Sequence, residues 1–382
     1  MLTPLIDLLG EDRLSWLGGL LVGGLFGFFA QRSRFCLRAA AVEFSRGEGG
    51  PRLAVWLLTF AAALVGTQSF VALGLLDVSE ARQLAQQGSI SGALVGGVMF
   101  GCGMILARGC ASRLLVLSAN GNLRALLSGL VFAVTAQASY RGLLSPAREW
   151  VTNLWLVDGG PSRDIMAVFG GGTPEKLAFG GLWLIAGLAF AFRSQLPRRL
   201  ILSALATGVA VIAGWLVTYQ LSQASFAPVA LKSLTFSGPS AEALMLVLNS
   251  SQLRLGFDLG IIPGVFLGSF IAAAAAGELK LEGFSDGLGM RRYLLGAVLM
   301  GFGAMLAGGC AVGAGVTGAS VFALTAWLVL GGMWLGAGFT DLFVDRGGMP
   351  QSQRAERHHT VPESEPKYSR SPTRSGADLG TV

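Results

Sequence analysis

Charge is scarce in this chain. Asp, Glu, Lys and Arg make up 13% of its 382 residues, about half the level of soluble proteins, which excludes an ordinary water-soluble domain of this size. Histidine is scarcer still: the two present, His358 and His359, are adjacent and lie in a polar C-terminal stretch. The four cysteines form no CxxC and no HxxxH occurs, so neither a metal nor another cofactor is expected. There is no GxxxxGKS, which excludes a P-loop ATPase. The first thirteen residues carry Asp7, Glu11 and Asp12 against Arg13 alone, where a cleavable signal peptide needs a positive n-region. The first apolar span is therefore expected to remain.

What the chain has instead is apolar length and glycine: 52% AVILMFWYC and 56 Gly. Charge-free apolar windows fall at about 14–31, 53–76, 90–107, 125–140, 177–192, 200–221, 259–277, 293–307 and 319–340, the pattern of a bilayer-spanning protein. The expected fold is an all-α integral membrane protein with about nine transmembrane helices, eight or ten remaining open. The net charge of +6 comes from basic residues between the windows, which read as topology signals rather than as a nucleic-acid surface. Arg32, Arg34, Arg38, Arg46 and Arg52 follow the first window and Arg193, Arg198 and Arg199 follow the fifth. Both sides are expected to be cytoplasmic, with the N-terminus outside and the C-terminus inside.

Residues 144–175 and 222–254 are too polar to span and are expected as external loops or interfacial helices. Asp258 is the one acid expected near a span interior. From about 346 the composition turns to Arg, Glu, Ser, Pro and His, so residues 1–345 form the membrane domain and 346–382 a disordered cytoplasmic tail.

An internal repeat carries more information. Residues 101–111 read GCGMILARGCA and residues 301–311 read GFGAMLAGGCA; at an offset of 200, seven of the eleven positions are identical and Cys110 falls on Cys310. Duplication accounts for this as a two-fold pseudo-repeat, the first copy at about 15–140 and the second at about 255–340, linked by 141–254. Transporters built of related halves place their substrate site at the junction, on interrupted helices.

Each copy runs an apolar helix into Gly-Cys and then into a stretch that reads as poor helix, Arg108 to Gly121 and Gly308 to Gly318. Broken backbone at membrane depth must be buried in protein or line a polar cavity. Glycines four apart, Gly19, Gly23 and Gly27 or Gly260, Gly264 and Gly268, read as helix-packing contacts. That spacing does not explain the dense run Gly308, Gly309, Gly313, Gly315 and Gly318, and the loop backbone at Gly109, Gly309 and Gly313 is a candidate part of the site. Exposed N–H groups and helix N-termini there favour an anion. Arg34, Arg38, Arg108, Arg113 and Arg124 lie nearest the turns; interface snorkelling accounts for them too, and Arg34, Arg108 and Arg113 are the candidates for steering an anion. Cys102, whose repeat partner is Phe302, is expected to pack. Cys110 and Cys310 share a position and so a role, and Cys36 stands beside Arg32 and Arg34. Three soft, weakly hydrogen-bonding thiols would suit a sulfur-bearing anion.

At these residues the sequence resembles the YeeE/YedE family of bacterial inner-membrane sulfur transporters. The motifs that carry the resemblance are Arg34-Phe35-Cys36, FGCGMILARGCAS at 100–112, GNLRAL at 121–126, GVFLGSF at 264–270 and LMGFGAMLAGGCAVGAGVTG at 299–318. It covers roughly residues 15–340. The resemblance implies thiosulfate uptake through a central constriction lined by Cys36, Cys110 and Cys310, between which the terminal sulfur passes by S–H···S hydrogen bonds without enzymatic chemistry. It also implies the lipid bilayer as surroundings and a cytoplasmic TusA-like sulfur-carrier protein as a partner. Two departures are Arg113, where related sequences often have Gly, and a long loop at 141–176. The alternatives are transport of another sulfur or selenium compound, and an intramembrane thiol–disulfide enzyme. The latter would need a cysteine pair, which Cys102 and Cys110, about 12 Å apart along a helix, do not supply.

Overall fold

The computed structural model describes residues 8–225, 229–248, 255–283 and 287–346; the expected tail at 346–382 lies, but for its first residue, outside them. Every apolar window becomes a helix: α1 (Glu11–Ser33), α3 (Pro51–Ala72), α4 (Ile90–Leu106), α6 (Leu123–Arg141), α7 (Thr173–Arg193), α8 (Arg198–Ala224), α10 (Phe257–Ala275), α11 (Gly287–Leu306) and α12 (Leu324–Thr340). Shorter helices α2 (Leu37–Ser45), α5 (Ala111–Ala119) and α9 (Ser237–Leu248) lie between them. Among the described residues eight segments are long and apolar enough to cross a membrane. The remaining window, 293–307 in α11, is preceded by Arg291 and Arg292 within the same helix. The protein is an all-α, multi-pass membrane protein. Its sheet is a two-residue pairing of Gly88–Ser89 with Leu156–Val157.

In lipid, helices associate through close backbone approach at small residues rather than through hydrophobic burial. The glycines four apart serve this use. A Cβ on Gly23 would stand 2.5 Å from the Ile261 carbonyl oxygen, and one on Gly264 would run into that of Leu20; α1 and α10 thus run parallel with interlocked backbones. On α4, Gly96 and Gly103 meet Gly303 and Gly296 of α11, while Gly97 and Gly101 meet Val329 and Met333 of α12. The first pairing runs antiparallel and the second parallel. Between α3, α7 and α12 an aromatic cluster fills the gap: Trp56 stacks on Phe60 at 5.0 Å, and Phe60 meets Trp183 and Trp327 edge-on.

Two expectations are corrected. Arg108 to Gly121 is mostly good helix, α5, with broken backbone at Ala107–Cys110 and a turn at Asn120–Gly121. Asp258 is not the one acid in a candidate span: Asp341, within the 324–344 segment just past α12, is fully buried and ion-paired with Arg46 at 2.6 Å, tying α12 to the end of α2.

Candidate functional site

Three helix ends are built alike. After α1, Arg34 takes the left-handed conformation (φ 54°); after α4 Arg108 does so (φ 56°), and after α11 Gly308 (φ 75°). The next residue then turns its N–H five residues back, Phe35 to Ala30, Gly109 to Met104 and Gly309 to Ala304, at 2.9–3.1 Å. This closes the helix with its last carbonyls satisfied. In each case the residue after that is a cysteine. The carbonyls of Cys36, Cys110 and Cys310 accept from the N–H groups of Ala40, Leu114 and Ala314; the first two open α2 and α5, and the third leads into a π-helical turn, Gly313–Gly318. Each thiol therefore stands at the positive N-terminal end of a short helical segment.

Cys36 and Cys110 come together, close enough for each thiol to act on the other. Cys110 is buried, Cys36 half-buried, and Ser112 Oγ lies 3.4 Å from the Cys110 sulfur. Arg113 lies close enough to both thiols to act on them electrostatically. It donates to Gln31 at 3.3 Å, Gln31 donates to Glu278 at 2.8 Å, and Glu278 meets Arg34 at 3.4 Å. Arg108 is exposed and lies over the Tyr293 ring with Arg124. The three expected steering arginines thus share the end of the protein where α1 and α4 finish, and only Arg113 reaches the thiols.

Cys310 lies at the end where α11 finishes, which the antiparallel pairing of α4 and α11 makes the opposite one. Its buried sulfur accepts from the N–H groups of Gly313 (3.4 Å) and Phe236 (3.3 Å). Phe236 belongs to the 222–254 stretch expected as external loops or interfacial helices; α9 forms part of it, while residues 231–237 fold into the protein rather than lying on its surface. Leu231, Ser233, Leu234, Phe236 and Ser237 are buried because side chains satisfy this extended backbone: Thr317 donates to the Leu234 carbonyl and Thr218 to that of Lys232, while Ser233 donates to the Val211 carbonyl. Leu231, Leu234 and Phe236 among polar neighbours are the only trace of this in the sequence. Between the two thiol sites stands Phe26, 6.1 Å centroid to centroid from Phe35, next to Cys36, and 5.3 Å from Phe236. Cys102 is away from all three and packs against the Gly336 carbonyl on α12, as expected.

At the Gly308 end a cavity of about 570 Å³ opens, lined among others by Arg82, Arg148, Arg163, Lys232, Glu242 and Asp258. Lys232 pairs with Asp258 and Arg148 with Glu149. Arg163, from the 141–176 loop, is buried and donates to the Gln86 carbonyl and to Thr325; burial first, then the like charge of Arg82, brings its pKa down to about 10. The loop thus folds into the cavity wall, and neither Arg82 nor Arg163 stands near a motif that would have flagged it. Among the described residues no group of His, Cys, Asp and Glu is disposed to hold a metal.

A model of the sulphur-transport family matches residues 32–339, a stretch that contains Cys36, Cys110 and Cys310. The chain belongs to the sulphur-transport family. It is similar to a thiosulfate transporter of Spirochaeta thermophila, 28% identical over 81% of this chain and 93% of that protein. A thiosulfate transporter of Escherichia coli is 26% identical over 84% and 92%. A probable transporter of Escherichia coli, YedE, is 38% identical over 22% of each chain.

Proposed function

We propose that the protein takes up thiosulfate across the bacterial inner membrane, the anion passing from Cys310 to Cys110 and Cys36 by S–H···S hydrogen bonds, with no bond made or broken. The observation that carries this is the set of three matching helix ends, each presenting a thiol at the positive end of a short helical segment, two at one end of the protein and one at the other. Sites of this strength attract an anion without trapping it, which is what conduction requires. The names of the relatives support thiosulfate as the cargo. The antiparallel crossing of α4 and α11 supports an inverted duplication of about 15–140 and 255–340, the plan of many transporters. The arginine-rich ends of α1 and α4 are then cytoplasmic, with the N-terminus outside, the tail at 346–382 inside, and that face open to a sulfur carrier of the TusA type.

The test is growth of a sulfate-uptake-deficient bacterium on thiosulfate as sole sulfur source. The wild type is expected to restore growth, Cys110→Ala and Cys310→Ala to abolish it at normal membrane levels, and Cys102→Ala to retain it. Equal growth of all Cys→Ala variants overturns the relay. No growth with the wild type in the membrane moves the cargo to another sulfur or selenium compound.

The nearness of Cys36 to Cys110 also supplies a thiol pair that sequence spacing did not, and it favours a second reading as a thiol–disulfide enzyme. That reaction would close a Cys36–Cys110 disulfide and pass two electrons and two protons to a quinone. Loss of both free thiols when the purified protein meets a quinone, read by mass spectrometry, would support it.

A further inference from the structure

Arg82 and Arg163 differ from the other cations of the cavity at the Gly308 end. Among the described residues no carboxylate forms an ion pair with either, whereas Lys232 and Arg148 are each paired. The two side chains line the same cavity, and the charge of Arg82 acts on Arg163. Arg163 is 5% exposed, and its Nε has no hydrogen-bond partner although its other two nitrogens are engaged. Its guanidinium lies on the backbone of Gly88, where a Cβ would stand 2.5 Å from it, so that glycine makes room for it. Thr325, which it also holds, is the second residue of α12, whose N-terminus adds its own positive potential. Arg82 reaches the carbonyl of Gly308 at 3.4 Å, two residues before Cys310.

Two like charges on one cavity wall, neither of them ion-paired and with Glu242 the carboxylate that Arg82 feels across it, raise the energy of the empty cavity, and a ligand carrying two negative charges relieves it. We propose that Arg82 and Arg163 form a capture site for a tetrahedral oxyanion dianion, thiosulfate or sulfate among them, which loads the anion beside the Cys310 turn. The guanidinium fork suits oxygen pairs of such anions. Monoanions such as chloride leave one of the charges uncompensated and bind less well. The 141–176 loop serves this site by bringing Arg163 into the wall. As a loading step for uptake the site rests on the thiosulfate reading; as a dianion site it does not.

The experiment is titration calorimetry of the purified full-length protein with sodium thiosulfate, sodium sulfate and sodium chloride, alongside uptake by membrane vesicles. The wild type is expected to bind both dianions, more weakly as ionic strength rises, and chloride at least tenfold more weakly. Arg82→Gln and Arg163→Gln are each expected to raise the dianion Kd by about tenfold, the loss of one charge-assisted contact. Arg163→Lys should recover part of the affinity. Arg82 is exposed, so if Arg163→Gln does not fold, Arg82→Gln decides. Unchanged dianion binding in Arg82→Gln, or equal binding of chloride by the wild type, overturns the site. Dianion binding without thiosulfate uptake would instead overturn the transport reading and leave the capture site standing.

Discussion

Arg34 and Arg108 share one backbone conformation, with φ 54° at the first and 56° at the second, and each stands two residues before a cysteine. The left-handed region costs a residue with a Cβ about 1 kcal/mol, and the third such position is occupied by glycine, Gly308. Arg34 also holds Glu278, but that pair is 54% and 39% exposed and contributes little. Arg34→Gly is therefore expected to be more stable than Arg34→Ala by about 1 kcal/mol. The comparison cancels the lost ion pair, since both variants lack it. Thermal unfolding in one detergent checks it; an alanine variant as stable as the glycine variant would show that the turn stores no such strain.

What was legible in the sequence followed from the solvent each residue meets. Lipid demands uninterrupted apolar length, so all nine windows, from that of α1 to that of α12, were visible as helices. The Gly-Cys turns were visible because the chain repeats them, and Gly19 or Gly264 because backbone contact in lipid recurs every four residues. Polar residues buried against other protein left no such mark. Lys232, Ser233 and Thr235 read as a loop because hydropathy registers their side chains and not the hydroxyls of Thr218 and Thr317 that satisfy the surrounding backbone. Arg163 was hidden for the same reason: its partners, the Gln86 carbonyl and Thr325, are 77 and 162 residues away. The meeting of Cys36 with Cys110 depends on helix packing that no spacing in the chain encodes.

Phe26 offers a test of what lies between the two thiol sites. Its ring is 1% exposed and bridges Phe35 and Phe236, so Phe26→Ala leaves a cavity beside both. Truncating a buried Phe costs about 3 kcal/mol or more, and here it also removes the wall that separates Cys36 from the backbone holding Cys310. Vesicles carrying Phe26→Ala are expected to pass sulfate, which has no terminal sulfur for a thiol relay, as readily as thiosulfate; Phe26→Leu, which keeps most of the volume, should retain the preference. Labelled-anion uptake measures this directly, and wild-type discrimination in Phe26→Ala would mean that the ring is only core.

Glu242 gives the cavity at the Gly308 end a pH dependence of known sign. It sits on α9, where burial and then the Asp258 carboxylate raise its pKa above the ordinary 4.5, against the pull of Lys232, Arg141 and Arg82. A carboxyl with a higher pKa in the folded chain binds its proton more tightly there than in the unfolded one. Its stabilising contribution is therefore complete below the unfolded pKa and is lost as pH rises through the folded value. Glu242→Gln, which keeps the neutral form at every pH, should melt at a higher temperature than the wild type at pH 8 and at the same temperature at pH 4. The ionised carboxylate also faces the cavity of Arg82 and Arg163, so it opposes an incoming dianion. Sulfate affinity of the wild type should fall as pH rises through the pKa of Glu242, and in Glu242→Gln that fall should disappear. A parallel decline in both proteins would place the titrating group elsewhere.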